Sequence, residues 1–405
     1  MTGSAAAKPA TGALAATALF ASLAAYTVAR SALRFAFADD FDLALGKWPP
    51  PAAWLWAQHN EHRLPLVKLL LAACARHGDF RVGVWLSLAI MTAACAWIAR
   101  ERLVVAVLAA ALLLNPESNA WRWDVELQSV LGVALFLVAF THARMARGTR
   151  DAIVVAAASL LLPLTGGSGV LFSAATIVAA LVLARDRTLP DRARAILVAG
   201  AIATCALDAL WMRGWTRPPA HAAYVAHSWS ALASIAARLV VAPLGSVAER
   251  APAIVALAVI AALVAIAWTT TTERRAVVAI FFGGALAVLA AIAIGRTGRG
   301  WIFGLEAHYG VVIAPLYVVA LVAAPPTRIG AALAVLAAVA CVAAVPTTTR
   351  ESRLRERALV ADCGTVPAEA LAARYLPLFY DADSPHARAI VTDYLARLPC
   401  DELRR

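Results

Sequence analysis

Eleven apolar runs follow one another along the chain, separated by short polar clusters. They cover roughly residues 11–37, 80–98, 103–114, 129–141, 152–163, 168–184, 195–211, 251–268, 276–294, 311–323 and 329–346. Within each run the apolar residues are continuous rather than alternating. That predicts helices and excludes a closed β-barrel, whose strands alternate apolar and polar positions. A helix needs about 20 residues to cross a bilayer, so the shorter runs are expected to extend into polar neighbours or to break near the surface. The pattern predicts an all-α polytopic membrane protein of about 11 transmembrane helices.

The polar clusters orient the spans. RER (100–102), HARMARGTR (142–150), RDRTLPDRAR (185–194), TERR (272–275) and Arg328 fall on one side, together with Lys8 ahead of the first run. Cytoplasmic loops carry the excess of Lys and Arg. The N-terminus is therefore expected in the cytoplasm, and an odd number of spans puts the C-terminus outside. One segment resists this order. SWSALASIAARLVVAPLGSVAE (228–249) is apolar enough to span, yet counting it would turn TERR outward. It is read as an interfacial or re-entrant helix on the external side. Run 11–37 is too long, and too arginine-bearing at its end, for a cleaved signal peptide, and reads as a signal anchor.

Residues 347–405 change character, with nine basic and nine acidic residues and no further span. The expected domains are a transmembrane unit over 1–346, with its first external loop at 38–79, and a small soluble external tail over 347–405. Cys363 and Cys400 are the two cysteines of this tail, away from any apolar helix. An oxidising external compartment would let them pair, adding roughly 3–4 kcal/mol in the chain-entropy model. Two free thiols in a cytoplasmic tail are the alternative. Cys74, Cys95, Cys205 and Cys341 match no metal-ligand spacing and are read as small packing residues.

Composition agrees with the pattern. Of 405 residues 62% are hydrophobic and 15% charged, and the mean hydropathy is +0.75. A soluble globular chain does not need so much apolar surface. The net charge of +11 is not a nucleic-acid signal. Of the 36 basic residues only Lys8, Lys47 and Lys68 are lysine, and many of the arginines sit between runs, where they set topology. Membrane lipids are the expected surroundings, no nucleic acid is expected, and the location is the cytoplasmic (inner) membrane.

Candidate chemistry gathers on the external side. Asp39, Asp40 and Asp42 follow the first run. Adjacent carboxylates at a membrane edge raise each other's pKa, so one can serve as a base. They can also share a divalent cation such as Mg2+ or Mn2+. A solvated acidic loop ending the helix is the plain alternative. Within WAQHNEHRLP (56–65), His59 and His62 would share one face of a helix, a weak zinc signal even with Glu61 beside them. Trp54, Trp56, Leu64, Leu66 and Leu69 predict an amphipathic surface helix, whose polar face binds phosphate or sugar through Asn60, His62 and Arg63. In WRWDVELQ (121–128), Trp121 and Trp123 stack on a sugar or anchor at headgroups, while Asp124, Glu126 and Gln128 open the next span. LTGGSG (164–169) is a glycine-rich turn at a helix start. GRTGRGWIFGLEAHY (295–309) carries Arg296, Arg299, Glu306, His308 and Tyr309, and guanidinium suits a lipid phosphate. Pairing of Arg296 with Glu306, or snorkelling, is its plain role.

Four stretches together resemble the GT-C superfamily of polytopic membrane glycosyltransferases, and more narrowly a group of bacterial GT-C-like membrane proteins. They are Asp39-Asp40 after the first span, Asn60-Glu61-His62-Arg63, Trp123–Gln128 at the start of the fourth span, and Gly295-Arg296…His308-Tyr309. Two departures stand out: extra acids and altered spacing in WRWDVELQ, and His308 where arginine is expected before tyrosine. Either would alter the donor or mark a member that has lost catalysis.

The resemblance implies a polyprenyl-phosphate-linked sugar as donor and a glycan or lipid as extracytoplasmic acceptor. It implies Asp40 as general base, Asp39 as its partner or a metal ligand, and Arg296 and Arg63 on the donor phosphate. Asn60, His62, Trp123, Asp124, Gln128, Arg299, His308 and Tyr309 complete the expected substrate site. A positioned base contributes about 10²–10⁴-fold in rate, and stabilisation of the departing phosphate supplies much of the rest. Two other classes stay open. A transporter or flippase for a lipid-linked or anionic solute would place its polar residues near the midplane on broken helices, and Asp208 is the main intramembrane acid available to it. A non-catalytic scaffold would use the tail to dock a partner.

Overall fold

The computed structural model describes residues 11–32, 49–75, 79–98, 100, 102–121, 123–218, 225, 228–245, 252–268, 275–296, 305–323, 327–344, 351–376 and 385–397. Over these the chain is all-helical, 84% helix with no strands. Helix α1 is Thr11–Ser31, and the first loop carries α2 (Ala52–Trp56) and α3 (Pro65–Ala75). Then come α4 (Arg81–Ile98), α5 (Leu103–Leu113), α6 (Leu127–Met145), α7 (Thr149–Leu161), α8 (Gly167–Ala184) and α9 (Asp191–Met212). The next five are α10 (Trp229–Val241), α11 (Pro252–Trp268), α12 (Arg275–Arg296), α13 (Leu305–Ile313) and α14 (Pro315–Ala323). Helix α15 (Arg328–Ala344) precedes the tail helices α16 (Glu351–Asp362), α17 (Ala368–Tyr375) and α18 (Pro385–Arg397).

Every apolar run of the sequence coincides with a helix, or with the pair α13–α14. Six helices, α1, α4, α6, α8, α9 and α12, are long and apolar enough to cross a membrane. The chain is a membrane protein on that ground. The remaining apolar helical stretches are shorter, 10–17 residues, with the stretch Tyr309–Ala323 of α13 and α14 counted as one. The break between α13 and α14 has a covalent cause. Pro315 has no N–H to donate back to Val311, so the helix restarts there with proline in its first turn.

The core lies between α6 and α14. Every residue of α14 is buried. On α6, Phe136 stacks on Phe172 of α8 with centroids 4.2 Å apart, and both Phe136 and Phe140 tilt against Phe281 of α12. At Gly284 a Cβ would stand 2.5 Å from the Ala175 methyl, so glycine sets the close approach of α8 and α12. Outer faces stay apolar, with Leu19, Ile202, Ile254, Leu257 and Val335 exposed, as helices solvated by lipid tails require.

The bundle has two distinct ends. At one, Arg102 donates to the Leu321 carbonyl (2.7 Å), His142 Nδ1 lies 2.9 Å from Asp151 Oδ1, and the Trp97 and His142 rings stack. The other end collects the described part of the first loop, the turn before α8, the end of α9, the turn after α10, the last residue of α12 and Tyr309 of α13. Helix α10 is amphipathic, with Ser228 capping its first turn and Ile235, Leu239, Val240 and Val241 buried. It leads into residues 242–245, where the Pro243 carbonyl accepts from Asn115 Nδ2 at 3.1 Å.

The tail helices have a core of their own, built from Leu359, Leu371, Ala372, Tyr375, Leu376, Val391 and Leu395, with Phe80 packed against it. Phe80 lies just ahead of α4, which places the tail at the same end of the bundle as the first loop. Asp362 accepts from the Tyr375 hydroxyl at 2.7 Å and pairs with Arg374. These two contacts, the hydroxyl first, hold its carboxyl below the usual range. Cys363 is disulfide-bonded, and Cys400 lies outside the described residues. Cys95 and Cys341 are buried, whereas Cys205 faces outward from α9, so a packing role does not extend to it.

Candidate functional site

The stretch 59–63 is not the helix its spacing predicts. His59 and His62 exchange both backbone hydrogen bonds, at 2.7 and 2.8 Å, around a two-residue turn. Asn60 takes the first central position with φ +48°, a left-handed conformation that asparagine tolerates better than most residues. Helix α3 starts only at Pro65, whose fixed φ suits a first helical position. His59 and His62 therefore sit opposite each other across a tight turn instead of one above the other on a helix face.

This turn is pinned from both sides. Trp215 Nε1 donates to the Glu61 carbonyl (2.9 Å) and Trp211 Nε1 to the Arg63 carbonyl (3.0 Å). Gln58 exchanges bonds with the backbone of Thr216, and the Gly167 N–H donates to His62 Nδ1 at 3.2 Å. That last bond makes Nδ1 the acceptor, so a neutral His62 carries its proton on Nε2. Arg63 turns inward, its two Nη atoms donating to the carbonyls of Trp56 (3.2 Å) and Arg213 (2.8 Å). Its guanidinium ties the first loop to the end of α9.

Glu61 stands at the apex of the turn and reaches the last residue of α12. Arg296 Nη2 lies 2.6 Å from Glu61 Oε2 and Nη1 lies 3.3 Å from Oε1, while Nε donates to the Tyr309 hydroxyl at 2.9 Å. The two charged side chains are 16% and 17% exposed, so the pair is largely desolvated. Glu126, 1% exposed, acts electrostatically on the same Tyr309 hydroxyl. Three segments far apart in sequence thus bring two carboxylates, one guanidinium and one phenol together. A guanidinium fork of this kind recognises carboxylate or phosphate oxygens.

Lys68 supports the site from α3, which lies outside the spanning helices. It is buried, and its Nζ donates to the carbonyls of Trp54 (2.9 Å) and Ala57 (2.7 Å) at the end of α2, where a cation meets the negative end of a helix. Burial, and then the neighbouring Arg63 charge, lower its pKa from 10.5 to about 8. The cost of burying the charged form is fully present below about pH 8. Between about 8 and 10.5 the unfolded chain holds a proton that the folded chain has released, so stability rises with pH through that window. Denaturation of wild type and Lys68→Met across this range is expected to show the rise in wild type beyond that of the variant. Parallel pH profiles would refute it.

Of the residues the sequence singled out, the structure brings Arg296 and Tyr309 together with Glu61, and sets His62 and Arg63 in the same turn. Asn60 shapes that turn. Gln128 lies beside Gly166, near the Leu64 side chain. Trp123 packs against the apolar cluster of Leu64, Val67, Leu71, Val125 and Leu127. Trp121 neither stacks on a ligand nor anchors at headgroups. It is wholly buried and donates to the Asn115 carbonyl at 2.7 Å. Arg296 pairs with Glu61; the side chain of Glu306, its expected partner, lies outside the described residues. Asp208 on α9 accepts from Ser173 Oγ of α8 at 2.8 Å. Asp39, Asp40, Asp42 and Arg299, and the side chains of Asp124 and His308, lie outside the described residues. Among the described residues no group of three His, Cys, Asp or Glu could hold a metal. The site residues the sequence did not mark are Trp211, Trp215 and Lys68. Their signal was there: two indoles at the end of an apolar run, and a single lysine inside an apolar stretch.

No protein-family model matches the chain, and neither a curated protein nor a solved structure matches it.

Proposed function

We propose that the chain is a membrane glycosyltransferase of the GT-C type, moving a sugar from a polyprenyl-phosphate donor to an extracytoplasmic glycan or lipid. The observation that carries this reading is the Glu61–Arg296–Tyr309 cluster at one end of an apolar bundle. A lipid-linked donor needs an arginine fork at the membrane edge and acidic groups nearby, and the cluster offers both. In this reading the bundle has eleven spans with the N-terminus in the cytoplasm. The charged cluster and the tail then face the external side of the inner membrane. Helix α10 lies in that interface. Asp40 is the general base, with Asp39 beside it, and Mg2+ or Mn2+ is bound there if a metal takes part. Arg296 binds the donor phosphate. Arg63, already committed to two carbonyls, shapes the site without touching the donor. A transporter fits less well, because the described charged groups gather at the two ends of the bundle and not at mid-helix.

Mass spectrometry of surface glycans and lipid-linked sugars tests the reading in wild type, a deletion strain, and the deletion complemented with Asp40→Asn at equal protein level. The expected result is loss of the same sugar in the last two, with accumulation of a lipid-phosphate sugar. An unchanged glycan profile in the deletion would overturn it. Normal glycans with Asp40→Asn alone would remove Asp40 as the base.

A further inference from the structure

We propose that Glu61 and the phosphate of the lipid-linked ligand are alternative partners of Arg296, so that ligand binding releases the Glu61 carboxylate into the site. The inference rests on the glycosyltransferase reading for the class of ligand, and goes beyond it in assigning Glu61 a competing role. Three observations carry it. The Nη1–Nη2 edge of Arg296, the edge a phosphate would grip with two bonds, faces both carboxylate oxygens of Glu61. The remaining edge passes through Nε, which donates to Tyr309. A phosphate therefore cannot take the fork without displacing Glu61.

The second observation is that the exchange needs no backbone movement. The turn beneath Glu61 is fixed by its own paired backbone bonds, by Trp215 on the Glu61 carbonyl and by Gln58 on Thr216. Only the side-chain torsions of Glu61 have to change. Tyr309 meanwhile keeps hold of Nε and so keeps the guanidinium aimed. The third is the charge count. Glu126 is buried close by, and a phosphate arriving beside two carboxylates and one guanidinium repels the less buried carboxylate, which is Glu61. An uncharged sugar or lipid has no means of displacing Glu61, so the exchange selects for a phosphate-bearing ligand. The freed carboxylate then lies next to the bound phosphate, where it can orient an acceptor hydroxyl.

The test uses the full chain in phosphatidylcholine nanodiscs with undecaprenyl phosphate as the probe. Affinity is read by native mass spectrometry and by the ligand-induced rise in melting temperature. Glu61→Gln removes the competitor and is expected to tighten binding about tenfold, which corresponds to about 1.4 kcal/mol. The variant should melt lower than wild type without the probe and recover more on adding it. Arg296→Gln is expected to weaken binding at least about tenfold. If Glu61→Gln binds equally or more weakly while Arg296→Gln loses affinity, the competition is overturned and the phosphate site stands. If Arg296→Gln binds as wild type does, or wild type fails to bind the probe, both readings fall. Should Glu61→Gln not fold, Glu61→Asp takes its place, because the shorter side chain cannot span the same two contacts and tightens binding by a smaller factor.

Discussion

Replacing Arg296 with methionine is expected to destabilise the chain by about 3–5 kcal/mol, the range for removing one partner of a buried ion pair. The loss arises on the side left behind. Glu61 and Arg296 are only 17% and 16% exposed, so in Arg296→Met the Glu61 carboxylate stays desolvated with its bidentate partner gone. The Tyr309 hydroxyl loses a bond at the same time. The double variant Glu61→Leu/Arg296→Met separates stability from recognition. Desolvating two charges offsets most of what their attraction returns, so an apolar pair of similar volume is often neutral or better. Thermal melting in detergent should therefore show a large loss for Arg296→Met and recovery of most of it in the double variant. Phosphate-probe binding should stay lost in both. An equal loss in both variants would mean that the pair is held for its own stability and that the destabilisation does not come from an orphaned carboxylate.

The apolar pattern was enough to locate the bundle, because a helix in lipid must satisfy its backbone internally and advertises itself as an unbroken hydrophobic run. The junction between α13 and α14 is equally local, set by Pro315. The site was readable only in part. Asn60, His62, Arg63, Arg296 and Tyr309 stood out as polar residues at helix ends. Their partnerships did not, since Glu61 and Arg296 are 235 positions apart and no local spacing encodes that contact. The segment 59–63 departs from the helix its spacing predicts for a physical reason. Histidines three apart suit a helix face and a two-residue turn equally well, and the deciding feature is one asparagine in a left-handed conformation. Trp211 and Trp215 look like interfacial anchors in sequence, and only the packing of the first loop on α9 turns their N–H groups toward the Arg63 and Glu61 carbonyls.

Gly166→Ala is expected to cost about 2–5 kcal/mol, combining backbone strain with overpacking, and to unseat the first loop from the bundle. Gly166 has φ +132° and ψ −168°, a region open essentially to glycine alone. A Cβ there would also stand 2.8 Å from Leu64 Cδ2 and 3.3 Å from Gln128 Oε1. Leu64 is fully buried, so it has little room to withdraw. The neighbouring Gly167 is equally constrained, since a Cβ would meet His62 Nδ1 at 2.8 Å. This pair of glycines is what lets the turn at 59–62 approach the start of α8 closely enough for the Gly167 N–H to reach His62. Forcing the two apart moves Glu61 away from Arg296, because both His62 and Glu61 belong to one rigid turn. Gly283→Ala is the matched control. It lies inside α12 with nothing within 4 Å of the added methyl, so it should keep or gain up to about 1 kcal/mol from better helix propensity. Melting temperature, and the fluorescence of the tryptophans that clasp the turn, should both change in Gly166→Ala and hold in Gly283→Ala. If Gly166→Ala melts with the control and keeps the wild-type fluorescence, the turn is not seated through these glycines. The Glu61–Arg296 contact would then need another anchor.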